Sequence, residues 1–364
     1  MTINVTKKSK DRSYSGSKVY VGLDVHKKSW TVCIYLEDQE YKRFTQDPDV
    51  SILLKYLNRH FPDADYYCAY EAGFSGYWLY ESLTRSGITC LVVHPADIPT
   101  TDKERRQKRD SIDARKIARE LSNGSLVGIN CPSKEEQGFR SLVRARLSLQ
   151  RDITRYKNRI KMLLQFFGID VAAQFEGRTW TQGFIRWLEV LSLEDANTRL
   201  CLGLWVNQLK IQSSQLKALD KSLKEIVASG PWAQDMKYLL SVPGIGQVAG
   251  LILLSEIRDI SRFKHLDQLA AYIGLIPNVH ASGEKEYVGN MTRRGNPHLR
   301  YILIEASWRA IAVDEGLKLT YLKLKKRMKS QQAIVRIARK LLSRIRFVLK
   351  NKQEYQSNPK SNND

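Results

Sequence analysis

The residues that can do chemistry in this chain are carboxylates that end apolar runs or share a helix face. Asp24 closes the run Lys18 to Asp24, in which Val19, Val21 and Leu23 alternate with Tyr20 and Gly22, as in a strand buried on at least one face. Glu71 closes the strand-like run Tyr66 to Glu71 and is followed by Ala72 and Gly73, a residue that lets the chain turn at once. Asp110 and Asp113 stand three apart in a stretch of helical character, so they share a face. If the run ending at Glu71 lies beside the first, both strand-terminal acids reach one sheet edge. Four converging carboxylates repel unless cations hold them. Hard divalent ions such as Mg2+ take oxygen ligands. Two of them about 4 Å apart can bind the attacking and leaving oxygens of a phosphodiester. Lys103, Arg105, Arg106, Lys108 and Arg109 precede the acid pair and suit a phosphate backbone at its mouth. Plainer readings stand beside this one: Asp110 as the N-cap of the helix at Ser111, and Asp113 as a first-turn acid facing the helix dipole.

A second constellation lies towards the C-terminus. Val242 to Ala249 contains Pro243, Gly244 and Gly246 between helical patterns. It reads as the hairpin of a helix-hairpin-helix motif, whose free amides can take a backbone phosphate, or as an ordinary turn between helices. Ser282 stands before Gly283 in a loop, and Arg293, Arg294 and Arg300 follow within twenty residues. A serine hydroxyl facing a phosphate held by guanidinium forks could act as a nucleophile. Taken alone, a serine in such a place is more often a turn residue. His280 and His298 are acid–base or phosphate-donor candidates, or simply surface histidines.

The elements that must position these groups fall into two kinds. An α/β pattern covers 18–130: the strand to Asp24, a second at Trp30 to Tyr35, a weak third at Glu40 to Thr45, a helix at Val50 to Arg59, the strand to Glu71, a helix at Ser75 to Ser86, a strand at Ile88 to Val93 and a helix at Ser111 to Leu121. An acid ending a central strand before a hairpin is where ribonuclease H-like folds place their first metal ligand. The same opening begins actin-like ATPases, but no Gly-rich phosphate loop follows here. The span 131–230 is different. Leu142, Leu149, Ile153, Tyr156, Ile160, Leu163 and Phe167 make a heptad seam broken by Arg146, and Leu202, Trp205, Leu209, Leu216, Leu219, Leu223 and Ile226 make a second broken by Gln212. This predicts an antiparallel coiled-coil hairpin, either a core packed within one chain or an arm that pairs protomers. The span 231–350 reads as a helical module ending in a basic amphipathic helix over Leu317 to Lys350, with twelve Lys or Arg and no acid. Residues 1–17 and 351–364 read as polar, disordered tails.

Composition narrows the partners. A net charge of +21 over 364 residues points to a polyanion, with nucleic acid ahead of a membrane surface or mere solubility. Cys33, Cys68, Cys90, Cys131 and Cys201 are scattered without a CxxC pair, so neither a zinc site nor a disulfide framework is expected. No apolar run reaches the roughly 18 residues of a membrane span, and the N-terminus lacks the apolar region of a secretory signal. A cytoplasmic protein is expected.

Taken together, GLDVHKKSW, YEAG, KRDSIDARKIAREL, SVPGIGQVAGLILLSEIRDISRFKHLDQLAAYIGL and SGEKEYVGNMTRRGNPHLR resemble the IS-110 family of insertion-sequence transposases, in order, over about 18–312. The resemblance implies a RuvC-like DEDD domain, a coiled-coil connector and a C-terminal transposase domain. It makes Asp24, Glu71, Asp110 and Asp113 the metal-binding acids, with Mg2+ as the ion, two per site, or Mn2+, and makes Ser282 the nucleophile. The implied reaction is DNA recombination through a covalent phosphoserine intermediate, guided by a structured noncoding bridge RNA. Homodimers and homotetramers are implied, with the two kinds of domain from different protomers making one site, as is a prokaryotic, nucleoid-associated setting. Lys108, Arg109, Gly244, Gly246, Arg293, Arg294 and Arg300 are the expected nucleic-acid contacts. Two other functions fit the same residues: a RuvC-like junction nuclease using water, and a non-catalytic nucleic-acid scaffold.

Overall fold

The computed structural model describes residues 13–99, 110–171, 175, 177, 179–282, 285–292 and 294–356, and for 110, 111 and 278–290 the backbone alone. The chain divides into two compact units, Met1–Ser133 and Lys134–Asp364.

The first unit is built on a five-stranded sheet in the order β3-β2-β1-β4-β5. Its strands are β1 (Lys18–Val25), β2 (Trp30–Leu36), β3 (Gln39–Gln46), β4 (Asp65–Glu71) and β5 (Thr89–Val93). The first three form an antiparallel meander, while β4 joins β1, and β5 joins β4, in parallel. Val19, Val21 and Leu23 point to one face, where they are buried with Cys68 and Tyr70 against Leu53 and Leu57 of α1 (Val50–His60) and Leu79 and Leu83 of α2 (Trp78–Arg85). The other face carries the alternate positions. There Ala69 and Cys33 lie under Ala114, Ile117, Ala118 and Leu121 of α3 (Asp110–Ser122). A mixed sheet with helices on both faces is a ribonuclease H-like arrangement.

Gly22 explains how close that helix comes. A Cβ at Gly22 would overlap the backbone of Ala114 and Ala118, with Ala118 Cα at 3.0 Å. The strand interior holds a glycine because the α3 backbone lies directly on it. Ala118 packs beside Tyr20 and Tyr35, and Leu121 beside Tyr20 and Tyr67, so α3 runs antiparallel to β1. Its first turn therefore points towards the ends of β1 and β4.

The second unit begins with two long helices, α4 (Lys134–Phe166) and α6 (Ala196–Ser229), with α5 (Gln182–Val190) between them in the chain. Ile153, Ile160 and Leu164 pack with Leu202, Val206 and Leu209, while Phe139 and Val143 pack with Leu223 and Val227, so the two helices are antiparallel. The buried seam departs from the expected one at its ends. Leu142 and Phe167 are exposed at 38% and 48%, and Val143 and Leu164 are buried instead. A straight helix drifts against a seven-residue repeat. Of the two polar interruptions, Arg146 is satisfied by Asp220 across the pair, at 2.9 Å. Gln212 leaves its buried Oε1 without a partner among the described residues.

The rest of this unit packs around α8 (Gln247–Ile257), whose residues from Ala249 onward are all buried. Around it lie α7 (Ala233–Leu240), α9 (Leu266–Ile273), α10 (Pro297–Val313), α11 (Glu315–Lys325) and α12 (Ser330–Asn351). Three sequence expectations are corrected here. The module is not wholly helical, because β6 (Pro277–Ser282) and β7 (Lys285–Met291) form an antiparallel hairpin. The single basic helix is two, broken between Lys325 and Ser330, with Lys329 as N-cap of α12. Two residues expected in disordered tails are packed: Tyr14 lies edge-on against Phe61, and the Tyr355 backbone amide donates to Ser241 Oγ at 2.7 Å, while 1–12 and 357–364 lie outside the described residues. Among the described residues no helix is long and apolar enough to cross a membrane.

Candidate functional site

The register of the sheet places the first two acids. Leu23 of β1 pairs with Tyr70 of β4 in parallel, so Asp24 and Glu71, one residue further on, end neighbouring strands at the same edge. Asp24 follows Gly22 by two positions and Glu71 follows Ala69 by two, so both project from the face that α3 covers. Asp113 precedes Ala114, whose backbone lies on Gly22, which sets it in the turn of α3 nearest that edge. Asp110 opens the helix one turn earlier. It is the first described residue of that helix, and its side chain is outside the described residues. The backbones of Asp24, Glu71 and Asp113 thus lie towards one sheet edge, with Asp110 one helical turn before Asp113.

Basic side chains accompany two of these acids. His26 Nε2 lies 3.2 Å from Asp24 Oδ2, and Lys116 Nζ lies 3.3 Å from Asp113 Oδ1. The Lys116 side chain is only 8% exposed, so its charge is held at the cost of desolvation and needs the carboxylate. Among the described residues no three His, Cys, Asp or Glu side chains stand close enough together to hold a metal. The donor set, oxygen from carboxylates, has the chemistry a hard divalent cation requires. Lys108 and Arg109 lie outside the described residues.

In the second unit the expected hairpin turn is a Pro-Gly turn between α7 and α8. Gly244 has φ +88°, and a Cβ there would come within 2.7 Å of Ala306 O and of Ala310 N and Cβ. Its glycine is dictated by the left-handed turn and by the approach to α10. Gly246 is the exposed N-cap of α8, with open space around it. Ser282 is the last residue of β6, paired with Lys285 across the hairpin end. It belongs to a strand, not the free loop expected, and its side chain and Arg293 are outside the described residues. Arg294 is exposed, while Arg300 donates from Nη2 to Arg294 O at 2.7 Å and from Nε to Ile273 O at 3.5 Å. Arg300 thus braces the segment after β7. His298 is partly buried, and burial, with Arg144 and Arg151 nearby, holds its pKa below the ordinary histidine value against the pull of Glu256.

Sequence reasoning passed over four residues that shape these sites. Gly22 carried a signal, a glycine inside an apolar strand. Lys116 and His26 looked like ordinary members of charge runs. Glu256, buried at 1% exposure, lies within the mostly apolar stretch Leu251 to Ile257, where the one acid was the available clue.

The sheet, the acid-bearing edge and the covering helix define a DEDD-type domain of the ribonuclease H-like class. A family model for DEDD transposases of the IS110 type, described as Transposase, matches residues 21–169, and one described as Transposase IS116/IS110/IS902 family matches 236–322. The chain is 29% identical over 319 residues to the transposase for insertion sequence element IS1533 of Leptospira borgpetersenii, covering 83% of this chain and 88% of that protein. It is 30% identical over 299 residues to putative transposase y4rJ of Sinorhizobium fredii, covering 75% and 74%. With the transposase for IS1111A of Coxiella burnetii the identity is 27% over 235 residues, covering 65% and 63%. The protein belongs to the IS110 family of transposases. It is a DNA transposase, an enzyme that acts on DNA, and its DEDD-type domain suggests dependence on a divalent metal.

Proposed function

We propose that this transposase moves its insertion sequence by serine attack on DNA phosphodiesters, assisted by divalent metal at the acid-bearing edge. The observation that carries the metal half of the reading is the parallel pairing of Leu23 with Tyr70, which sets Asp24 and Glu71 side by side under the first turn of α3. Asp24, Glu71, Asp110 and Asp113 would hold the ions, Mg2+ by preference, two per site, with Mn2+ as a substitute. A metal held by these acids would supply charge neutralisation at the phosphate and Lewis acidity. Asp113, now paired with Lys116 at 3.3 Å, would help hold the ion, and Lys116 would add positive charge beside the phosphate.

The serine half is supported by family membership and by the position of Ser282 at a hairpin end, with Arg294 on the segment that follows. The Ser282 hydroxyl gives up its proton as its Oγ–P bond forms, and one ester P–O bond of the DNA breaks. The released strand takes a proton on its departing oxygen. A hydroxyl from another strand reverses the step, displaces Ser282 and restores a DNA phosphodiester. One phosphodiester replaces another throughout, so no external energy source is needed.

The same reading includes a bridge RNA that pairs with donor and target DNA, a homodimer or homotetramer joined through the α4–α6 hairpin as a coiled-coil arm, and a helix-hairpin-helix at Gly244–Gly246 whose open α8 N-terminus takes a DNA phosphate. The setting is the prokaryotic cytoplasm, at the nucleoid. The deciding experiment incubates full-length protein with the element's end DNA and the RNA transcribed beside it, then looks for protein–DNA adducts on a denaturing gel. Wild type should form adducts, and Ser282→Ala should form none while still binding RNA. Adducts in Ser282→Ala would remove Ser282 from the mechanism, and hydrolytic nicking by that variant would favour the water-using nuclease.

A further inference from the structure

Glu256 lies in the last turn of α8 and is 1% exposed. A carboxylate so deep in the protein needs full compensation, and it receives it from two directions. Arg144 of α4 reaches it as a fork, Nε to Oε1 at 2.7 Å and Nη2 to Oε2 at 3.0 Å. Asn296 donates from Nδ2 to Oε2 at 2.7 Å. The neighbouring backbone is held as well: Tyr272 Oη donates to Glu256 O at 3.0 Å and Arg140 Nε to Ser255 O at 3.3 Å.

Asn296 cannot turn its amide round. Its Oδ1 accepts from the amides of His298 at 3.0 Å and Leu299 at 3.2 Å, as N-cap of α10. The cap requires the oxygen end, so the NH2 end must find an acceptor elsewhere, and Glu256 is that acceptor. The Asn296 amide in turn donates to Tyr272 O at 2.9 Å, and the Thr292 amide to Ile276 O at 3.0 Å. These bonds fix the chain where β6 begins and β7 ends, at the Pro277–Met291 pair. Ser282 stands at the opposite end of that same hairpin, paired with Lys285.

We infer that Glu256 is a positioning residue for the transposition reaction, fixing the base of the β6–β7 hairpin through Asn296 so that Ser282 is presented in one place. The inference rests on Ser282 being the nucleophile. Buried ion pairs seldom stabilise a fold better than apolar residues of the same volume would, whereas they can specify a single arrangement. Two donors from separate elements converging on one carboxylate are a device of that kind. A displacement of about 1 Å at a nucleophile costs roughly a hundredfold in rate.

The test uses the full-length protein with a plasmid carrying the element's ends and the RNA transcribed beside them. Single-turnover strand exchange is measured at saturating DNA and expressed per folded molecule, with the folded fraction read by circular dichroism. Glu256→Gln keeps the shape but cannot accept from both donors. Asn296→Ser keeps a capping oxygen and loses only the link to Glu256, so it tests the idea even if Glu256→Gln does not fold. Each should lower the rate constant by roughly 10- to 100-fold with DNA affinity unchanged, and the double variant should be no slower than the slower single. A rate within about twofold of wild type in a folded variant, or a loss explained by weaker DNA binding or a smaller folded fraction, overturns the inference. Ser282→Ala is run in parallel. If it stays active the serine reading fails, whereas if it is dead while Glu256→Gln and Asn296→Ser are unimpaired, only the positioning role fails.

Discussion

Gly22→Ala tests most sharply how the acid-bearing edge is assembled. The added methyl group meets backbone, not a side chain that could swing away: the carbonyl of Ala114, the amide of Ala118 and its Cα at 3.0 Å. Carbon prefers about 3.5–4 Å from such atoms, so α3 must lift by roughly 1 Å. Overpacking of this kind costs roughly 1–3 kcal/mol. Because the helix carries Asp110 and Asp113 and the strand carries Asp24, the lift also parts the acids, and a displacement of that size at a reacting centre costs roughly a hundredfold in rate. Native-state hydrogen exchange reads the first effect locally. At roughly 1.4 kcal/mol per tenfold, α3 amides should exchange about 5- to 150-fold faster in the variant, while amides of α8 in the other unit are unchanged. Strand exchange should fall in parallel. If α3 keeps wild-type protection and the enzyme keeps wild-type activity, the helix does not rest on β1 at Gly22, and the reasoning that brings the acids together is wrong.

Two further predictions concern titration. Burial, the largest influence on Glu256 and Asp314, pushes both carboxyls up. Hydrogen bonds and charge from Arg144 and Asn296 in the first case, and from Arg344 and the Leu317 amide in the second, outweigh it and leave both below their ordinary values of 4.5 and 3.8. Such groups stabilise the fold above their unfolded values and lose that contribution as pH falls through the folded ones. His298, lowered from 6.5 by burial, makes the unfolded chain the better proton acceptor below that pH. Thermal midpoints measured from pH 8 downward should therefore start to fall below about 6.5 and fall again below about 4.5, with the first step reduced in His298→Asn to the share of His60, whose pKa burial also lowers; a flat profile from pH 7 to 4 would contradict this. Cys33 is pushed up to about 12 by burial and Glu40, and Cys68 is raised by burial. Iodoacetamide at pH 8 should modify Cys131 and Cys201 long before Cys33, Cys68 or Cys90, as peptide mapping would show.

Much of the first unit was legible because its signals are local. Val19, Val21 and Leu23 alternate as a one-face-buried strand does, and an acid at the end of such a strand has few positions open to it. The β6–β7 hairpin was not legible. Asn278 to Asn290 is polar and Gly-interrupted, its apolar residues do not alternate cleanly, and its pairing is completed by bonds from Thr292 to Ile276 and from Asn296 to Tyr272 that no short-range pattern contains. The break between α11 and α12 was hidden for a related reason. No Pro or Gly marks Lys326 to Lys329, so local propensity favours one continuous helix, and packing of Leu317 and Tyr321 in the same core as Ile334 and Ile337 forces the turn. In the tails, Tyr14 and Tyr355 were single aromatics in polar surroundings, and each is the residue that docks. Glu256 escaped because its partners, Arg144 and Asn296, lie 112 and 40 residues away.

The claim on which the rest depends is that Asp24, Glu71, Asp110 and Asp113 surround one divalent-cation site. The most direct measurement loads the full-length protein with Fe2+ in place of Mg2+, adds ascorbate and peroxide, and maps where hydroxyl radicals cut the backbone. The account predicts cuts clustered near residues 24, 71 and 110–113 together, suppressed by excess Mg2+ and absent in Asp24→Asn. Cutting confined to one of these segments, or unchanged in Asp24→Asn, would contradict it.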